Sequence, residues 1–426
     1  MLQTAYIKEN REEVIERLAI RGIDATEMVD QVIELDGKRK STQAELDATL
    51  AESNRIAKEI GGLFKQGKAD EANAAKAKAG ELKQKASGVQ ETMTQVQDEL
   101  NQLLYQIPNV PVTSVPKGNS DADNELVSKH GRKPDLGFDP VPHWELVRKY
   151  NLVDFELGVK ITGAGFPVYL GKGAQLQRAL INFFLDEARK AGYKEIIPPL
   201  VVNEASGLGT GQLPDKEGQM YHVGNEDLYL IPTAEVPLTN IFRDVILKAD
   251  QLPQKLTGYT PCFRREAGSY GKDVKGLNRL HQFDKVEIVQ VVNPETSYDV
   301  LDTMVKHSTD LLDKLGLYYR VLKLCGGDLG FTSALTFDLE VWSGGQDRWL
   351  EVSSISNFET FQANRLKLRY REGTNKPKLV HTLNGSALAL PRIMAAVLEN
   401  NQTKNGIKIP EVLHKYTGFT SIGLDE

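Results

Sequence analysis

Apolar residues recur in a four-three rhythm over residues 82–107: Leu82, Ala86, Val89, Met93, Val96, Leu100, Leu103 and Ile107. A heptad seam set in Ala, Glu, Lys and Gln predicts a helix that packs along another helix. A partner precedes it, since residues 28–60 place Val32, Leu35, Leu46, Leu50, Ile56 and Ile60 on a helical period. Between them Gly61-Gly62-Leu63-Phe64-Lys65-Gln66-Gly67-Lys68 reads as a reversal, giving an antiparallel hairpin within residues 26–107. A self-associating coiled coil or a solvated spacer fits the same pattern, although the glycines favour an intramolecular arm. Upstream, residues 1–25 read as one helix with Val14, Ile15 and Leu18 turned inward.

Pro108, Pro111 and Pro116 end the rhythm, and residues 111–165 read as a turn-rich linker leading into a second domain. There the periodicity changes. Leu176, Leu180, Phe183, Phe184 and Ala188 predict an amphipathic helix closed by Gly192. Ile196–Val202 reads as a strand that Pro198 and Pro199 keep out of a sheet interior. Further strands are predicted at 259–264, 279–292, 336–342 and 349–353. Without βαβ alternation the class is α+β, an antiparallel sheet with flanking helices plus an N-terminal helical arm. The domains are expected at 1–110 (with the arm), 111–165 (linker and start of the second domain) and 166–426.

Bulk properties change this picture little. The chain has 426 residues and a formal net charge of −6, which argues mildly against nucleic-acid binding but leaves room for a local basic stripe. Arg55, Lys58, Lys76, Lys78 and Lys83 supply candidates on the arm, each of which also reads as an ordinary solvated residue. Cys262 and Cys325 cannot form a disulfide framework or a thiolate zinc site and read as small buried hydrophobes. The seven histidines are scattered, so no zinc is expected. No leader-like start and no apolar run of membrane-spanning length is present, which reads as a cytoplasmic protein.

The chemistry concentrates around Cys262-Phe263-Arg264-Arg265-Glu266. If this is a strand, Arg264 and Glu266 share a face. A loop from Ala267 to Asn278 follows, with three glycines, Tyr270, Lys272 and Lys275. The return strand puts Phe283, Lys285 and Glu287 on one face. Such a hairpin offers arginine for phosphate, an aromatic ring for a base, and carboxylates for an amine or hydroxyl. A salt-bridged surface hairpin has the same parity. No glycine-rich phosphate loop leading into a helix is present, so a nucleotide would rest on arginine, metal and stacking.

At this point the chain resembles the class II seryl-tRNA synthetases of bacterial type. Phe263–Glu287 is similar to their motif 2 (about 258–292), and the segment around Gly192–Val202 to motif 1 (about 174–202). Leu383-Asn384-Gly385-Ser386-Ala387-Leu388-Ala389-Leu390-Pro391-Arg392 resembles motif 3 (about 383–400). Thr233-Ala234-Glu235-Val236-Pro237-Leu238-Thr239-Asn240 and Glu351-Val352-Ser353-Ser354 resemble two further stretches of the same family. The arm and the ending Ile409–Leu413 match in order and spacing, so the resemblance spans the chain.

The resemblance implies a serine–tRNA ligase that makes seryl-adenylate from L-serine and ATP, then charges serine tRNA, with selenocysteine tRNA a further candidate. Catalysis would rest on Arg264, Arg392 and Glu351. ATP would be bound by Arg264, Arg265, Glu266, Phe283, Glu351, Val352, Ser353, Ser354 and Arg392, with Mg²⁺ on Glu351 and Ser354. Thr233, Ala234, Glu235, Arg264, Glu287, Asn384 and Ser386 would enclose serine. The resemblance also implies a homodimer and an arm that reads tRNA. Ala387 and Pro391 stand where the family favours glycine, which puts the shape of the ATP floor in question. Activation of another amino acid, or a non-catalytic RNA-binding role, remain the competing readings.

Overall fold

The computed structural model describes residues 1–266 and 275–423, which form two compact units. The first comprises Met1–Ala19 and Ile23–Pro108 and is helical throughout: α1 (Thr4–Glu9), α2 (Arg11–Ala19), α3 (Thr26–Lys65) and α4 (Ala69–Leu104). The single helix expected over residues 1–25 is thus two. Asn10 separates them as the C-cap of α1, its backbone N–H and its side-chain amide both donating to the Tyr6 carbonyl, at 2.9 and 3.0 Å.

Helices α3 and α4 form the antiparallel hairpin, joined across by a Lys85–Glu45 ion pair of 2.9 Å. Every residue of the four-three series in α4 is buried or half-buried. On α3, Leu50 is exposed and Thr49 takes the inward position. The reversal is shorter than the sequence suggests. Gly61 and Gly62 remain helical, and only Gln66–Lys68 turn the chain. Gly67 adopts φ +76°, the Lys68 N–H reaches the Leu63 carbonyl and the Gly67 N–H reaches that of Phe64. This Schellman cap satisfies the last carbonyls of α3, and of the three glycines only Gly67 supplies a left-handed residue.

The second unit comprises Ile20–Gly22 and the chain from Asn109 onward. Its elements include β1 (Glu125–His130), α5 (His143–Lys149), α6 (Gly171–Lys190), β2 (Lys194–Glu195), α7 (Glu235–Asn240), β3 (Gln254–Phe263) and β4 (Gln282–Val292). They continue with α8 (Ser297–Lys314), β5 (Tyr319–Lys323), β6 (Leu335–Ser343), β7 (Arg348–Asn357), α9 (Thr360–Leu366), β8 (His381–Ala389) and α10 (Leu390–Asn400). Eight strands form one sheet in the order β1-β5-β6-β7-β8-β4-β3-β2, antiparallel except for the β2–β3 pair. Helices α6, α8 and α10 cover the sheet, and the apolar stripe Leu176, Leu180, Phe183, Phe184 and Ala188 is fully buried.

One expectation gains detail here and another changes. Residues 111–165, expected as linker and start of the second domain, are not turn-rich throughout, since β1 extends the sheet by pairing with β5. Its pattern escapes sequence reading because an edge strand exposed on both faces needs no apolar alternation. Ile196–Val202 is not one strand either. Pro198 and Pro199 separate β2 from Val201–Asn203, which joins a different three-stranded sheet; prolines cannot donate to a ladder.

Two bulges set the chemistry of the sheet. In β7, Ser353 opposes Leu339 while Glu351 opposes Glu340, so Val352 is an extra residue. In β8, Ser386 opposes Glu287 while Ala389 opposes Lys285, so one extra residue lies between them. Leu388 takes φ +82° there. A leucine in that region carries about 1 kcal/mol of strain relative to glycine. Leu388 is nevertheless fully buried, and deleting such a side chain costs about 2–5 kcal/mol. Packing outweighs strain, so Leu388→Gly should lower the thermal midpoint; a rise in a melting experiment would reverse that ranking.

Candidate active site

Directly paired residues of an antiparallel ladder share a face. Following the registers across β3, β4, β8, β7 and β6 places Phe283, Lys285, Glu287, Ser386, Asn384, Ser354, Glu351, Asp338 and Glu340 on one face. The bulge at Val352 is what allows Glu351 and Ser354, an odd number of residues apart, to point the same way. Arg264 joins them, because its N–H donates to the His281 carbonyl at 2.9 Å and prolongs the β3–β4 register by one step. The parity argument stops short of Glu266. The strand ends at Phe263, and Glu266 adopts φ +47° and pairs with Arg279 at 3.3 Å. Arg265 is exposed and held through its backbone to Gln219. Of the loop features, Gly268, Tyr270, Gly271 and Lys272 lie outside the described residues.

One end of this face is a buried polar cluster. The Lys285 ammonium contacts Glu287 at 2.5 Å and donates to the Thr233 hydroxyl at 2.8 Å. That hydroxyl also accepts the Glu235 N–H at 3.2 Å and donates to Glu287 at 3.1 Å. Thr233 and Ala234 lead into α7, which begins at Glu235 and brings its carboxylate to Gln362 Nε2 at 2.6 Å. Thr382 fixes Gln362 from its other side at 2.8 Å. Two carboxylates and one ammonium are thus buried together, with the Arg264 guanidinium near, 5.2 Å over the Phe283 ring and bonded to the Pro232 carbonyl at 3.3 Å. Lys285 was visible in the sequence only as a face residue, and Gln362 was not singled out. No local pattern marks Gln362, since its partners come from distant segments.

Burial pushes the Glu235 carboxyl up to about 7, helped by the charge of Glu287, and burial raises Glu287 as well. The folded state therefore holds a Glu235 proton that the unfolded chain releases near its ordinary 4.5. Stability from this group is fully present below about 4.5 and is lost as pH rises through about 7. The expected loss is about 3 kcal/mol. Melting curves of the ligand-free protein and of Glu235→Gln between pH 5 and 8 test this: the parent should lose more stability, and parallel profiles would refute the assignment.

The other end centres on Arg392, in the first turn of α10. Its Nη1 donates to the Glu351 carbonyl at 2.7 Å and lies 3.7 Å from the Glu351 carboxylate, while Nε donates to the Asn278 carbonyl at 2.9 Å. Pro391 sits where a helix N-terminus has no N–H to lose, and Ala387 is buried. Glu351 is exposed, but the Val352 and Ser353 side chains are buried, the latter bonded to the Ser386 carbonyl at 2.7 Å. Opposite Ser354, Asp338 carries a buried oxygen with no hydrogen-bond partner among the described residues, and burial with the nearby Glu351 charge raises its carboxyl well above normal.

An arginine-flanked sheet face of this kind, with no phosphate loop among the described residues, agrees with the tRNA synthetase class II core domain (G, H, P, S and T), whose family matches residues 221–401. The seryl-tRNA synthetase N-terminal domain family matches residues 1–111. The serine–tRNA ligase of Salinibacter ruber is 52% identical over the full length of both chains. Among solved structures, the seryl-tRNA synthetase of Pyrococcus horikoshii complexed with ATP is 35% identical, with a TM-score of 0.92 and complete coverage of both chains. The cytoplasmic serine–tRNA ligase of Naegleria fowleri in complex with AMP is 28% identical, with a TM-score of 0.86 over 100% of this chain and 99% of that one. The chain belongs to the serine–tRNA ligases, which are aminoacyl-tRNA ligases.

Proposed function

We propose that the chain acts in the cytoplasm, activating L-serine with ATP and passing the seryl group to the 3′-terminal adenosine of serine tRNA. The observation that carries this reading is the single sheet face with buried Glu235 and Glu287 at one end, Arg392 at the other and Arg264 beside the carboxylates. Serine's ammonium and hydroxyl suit the carboxylates together with Thr233 and Ser386, with Ala234 and Asn384 beside them. Its carboxylate turns toward Arg264. Adenine stacks on Phe283 with its amino group toward Glu266; Arg265 and the backbone of Val352 and Ser353 border the nucleotide, and Arg392 takes the terminal phosphate.

A serine carboxylate oxygen then attacks the α-phosphorus, the bond to the bridging oxygen breaks, and pyrophosphate leaves. Arg264 and Arg392 stabilise the charge that accumulates in transit, and no protein nucleophile is needed. Glu351 and Ser354 would hold Mg²⁺; the adjacent unpartnered Asp338 oxygen and the all-oxygen donor set fit a hard cation. When bound, that ion supplies charge neutralisation at the phosphates. In the second step the terminal tRNA hydroxyl attacks the adenylate carbonyl and AMP departs. The α3–α4 hairpin holds the tRNA, mostly by backbone and shape. Exposed Ile197, Leu200 and Val201 support a homodimer formed through the segment around motif 1.

Amino-acid-dependent ATP–pyrophosphate exchange tests the reading. Serine should support exchange, whereas alanine, which leaves buried acceptors unpaired, should be rejected by a large factor. Exchange with threonine or alanine but not serine would overturn the substrate, and exchange with no amino acid would favour the non-catalytic reading. Charging assays with serine and selenocysteine tRNAs define the acceptor.

A further inference from the structure

Residues 275–278, which lead into β4, are gripped one after another. The Lys275 ammonium lies 4.7 Å over the Trp144 ring. Gly276, at φ +66°, brings its backbone so close to His143 that a β-carbon there would lie 2.3 Å from Nε2. The Leu277 N–H donates to His143 Nε2 at 2.8 Å. The Asn278 side chain donates to Gln346 at 2.8 Å, and its carbonyl receives Arg392 Nε at 2.9 Å.

His143 is fully buried at the start of α5 and plays a defined part. A backbone N–H is only a donor, so Nε2 must be the unprotonated nitrogen, and Nδ1–H must donate to Glu399 at 2.7 Å. Glu399, equally buried on α10, also accepts the His143 N–H at 2.8 Å, Gln346 Nε2 at 3.1 Å, the Gly345 N–H at 3.1 Å and the Ser343 hydroxyl. Burial alone would raise its carboxyl, but the bonds from His143 and Ser343 outweigh burial and hold it below the ordinary range. An ionised Glu399 thus fixes one imidazole tautomer, and the imidazole fixes the Leu277 N–H, one residue before the Asn278 backbone carbonyl that orients Arg392. None of these side chains belongs to the serine end of the face.

We propose that His143, held by Glu399, is a positioning residue for ATP: through Leu277 and Asn278 it sets the direction of the Arg392 guanidinium. The inference rests on the reading of Arg392 as an ATP ligand. Two isosteric variants separate the bonds. His143→Asn keeps a donor toward Glu399 but has no acceptor for the Leu277 N–H. His143→Gln can place an oxygen near the Nε2 position and restore it.

Serine-dependent ATP–pyrophosphate exchange is measured on the full chain, with thermal midpoints alongside. His143→Asn should raise the KM for ATP about tenfold and leave the KM for serine within about twofold. His143→Gln should recover most of the difference. In an Arg392→Lys background, His143→Asn should add less than about twofold, because both act on one contact. Equal rises in both KM values that follow the loss of thermal stability, or full additivity with Arg392→Lys, would overturn the proposal. If the unmodified chain shows no serine-dependent exchange, the functional reading itself fails, an outcome distinct from a negative result with the His143 variants.

Discussion

Arg392→Ala should reduce serine-dependent pyrophosphate exchange by about a thousandfold while leaving the thermal midpoint nearly unchanged, the size expected when a fixed cation is removed from a developing charge. The two effects separate because of what Arg392 touches. Among the described residues its hydrogen bonds and ion pair go to two backbone carbonyls and a partly solvated carboxylate. Water can replace the guanidinium at each. The bulge in β8, the buried Ala387 and the Pro391 start of α10 stay in place and keep the helix where it is. Arg392→Lys should fall between, since a lysine keeps the charge without the planar fork that grips two groups at once. Exchange within about tenfold of the parent in the alanine variant would remove Arg392 from the site.

Shortening the arm should have the opposite signature. The Lys85–Glu45 pair marks two points that face each other across the hairpin. Replacing residues 46–84 with a short glycine turn therefore removes the outer part of both helices at one level and leaves the seam below intact. Every side chain assigned above to serine or ATP belongs to the second unit. Exchange should stay within about twofold, whereas charging of serine tRNA should fall by at least about a hundredfold, in line with losing several phosphate contacts. Charging at the parent rate would show that the arm is structural. Loss of exchange together with charging would show that the two units depend on each other for activation.

Much of this was legible in the chain because the signals are local. The α4 seam, the α6 stripe and the Phe283–Lys285–Glu287 alternation follow helical or strand periods, and each falls where its period puts it. What escaped has a common cause, namely partners far apart in sequence. The exposed edge strand β1 is defined by pairing with Tyr319–Lys323, and Gln362 by contacts to Thr210, Glu235 and Thr382. The two bulges escaped for another reason. Strict alternation would set Glu351 and Ser354 on opposite faces, and only the observed register shows that an inserted residue brings them together. Glu266 failed the parity argument for the converse reason, since it lies beyond the end of its strand in a left-handed conformation.

The Schellman turn at Gly67 also bears on how such an arm can change length. Because the turn draws only on the last residues of α3, it is independent of how many heptads stand beneath it. Adding seven residues to each helix at matched levels would preserve the seam and move the same cap outward by about 10 Å. Adding three or four to one helix alone would rotate its apolar stripe away from its partner. The hairpin is therefore graduated in heptads, and its length can change by whole graduations without disturbing the seam or the cap.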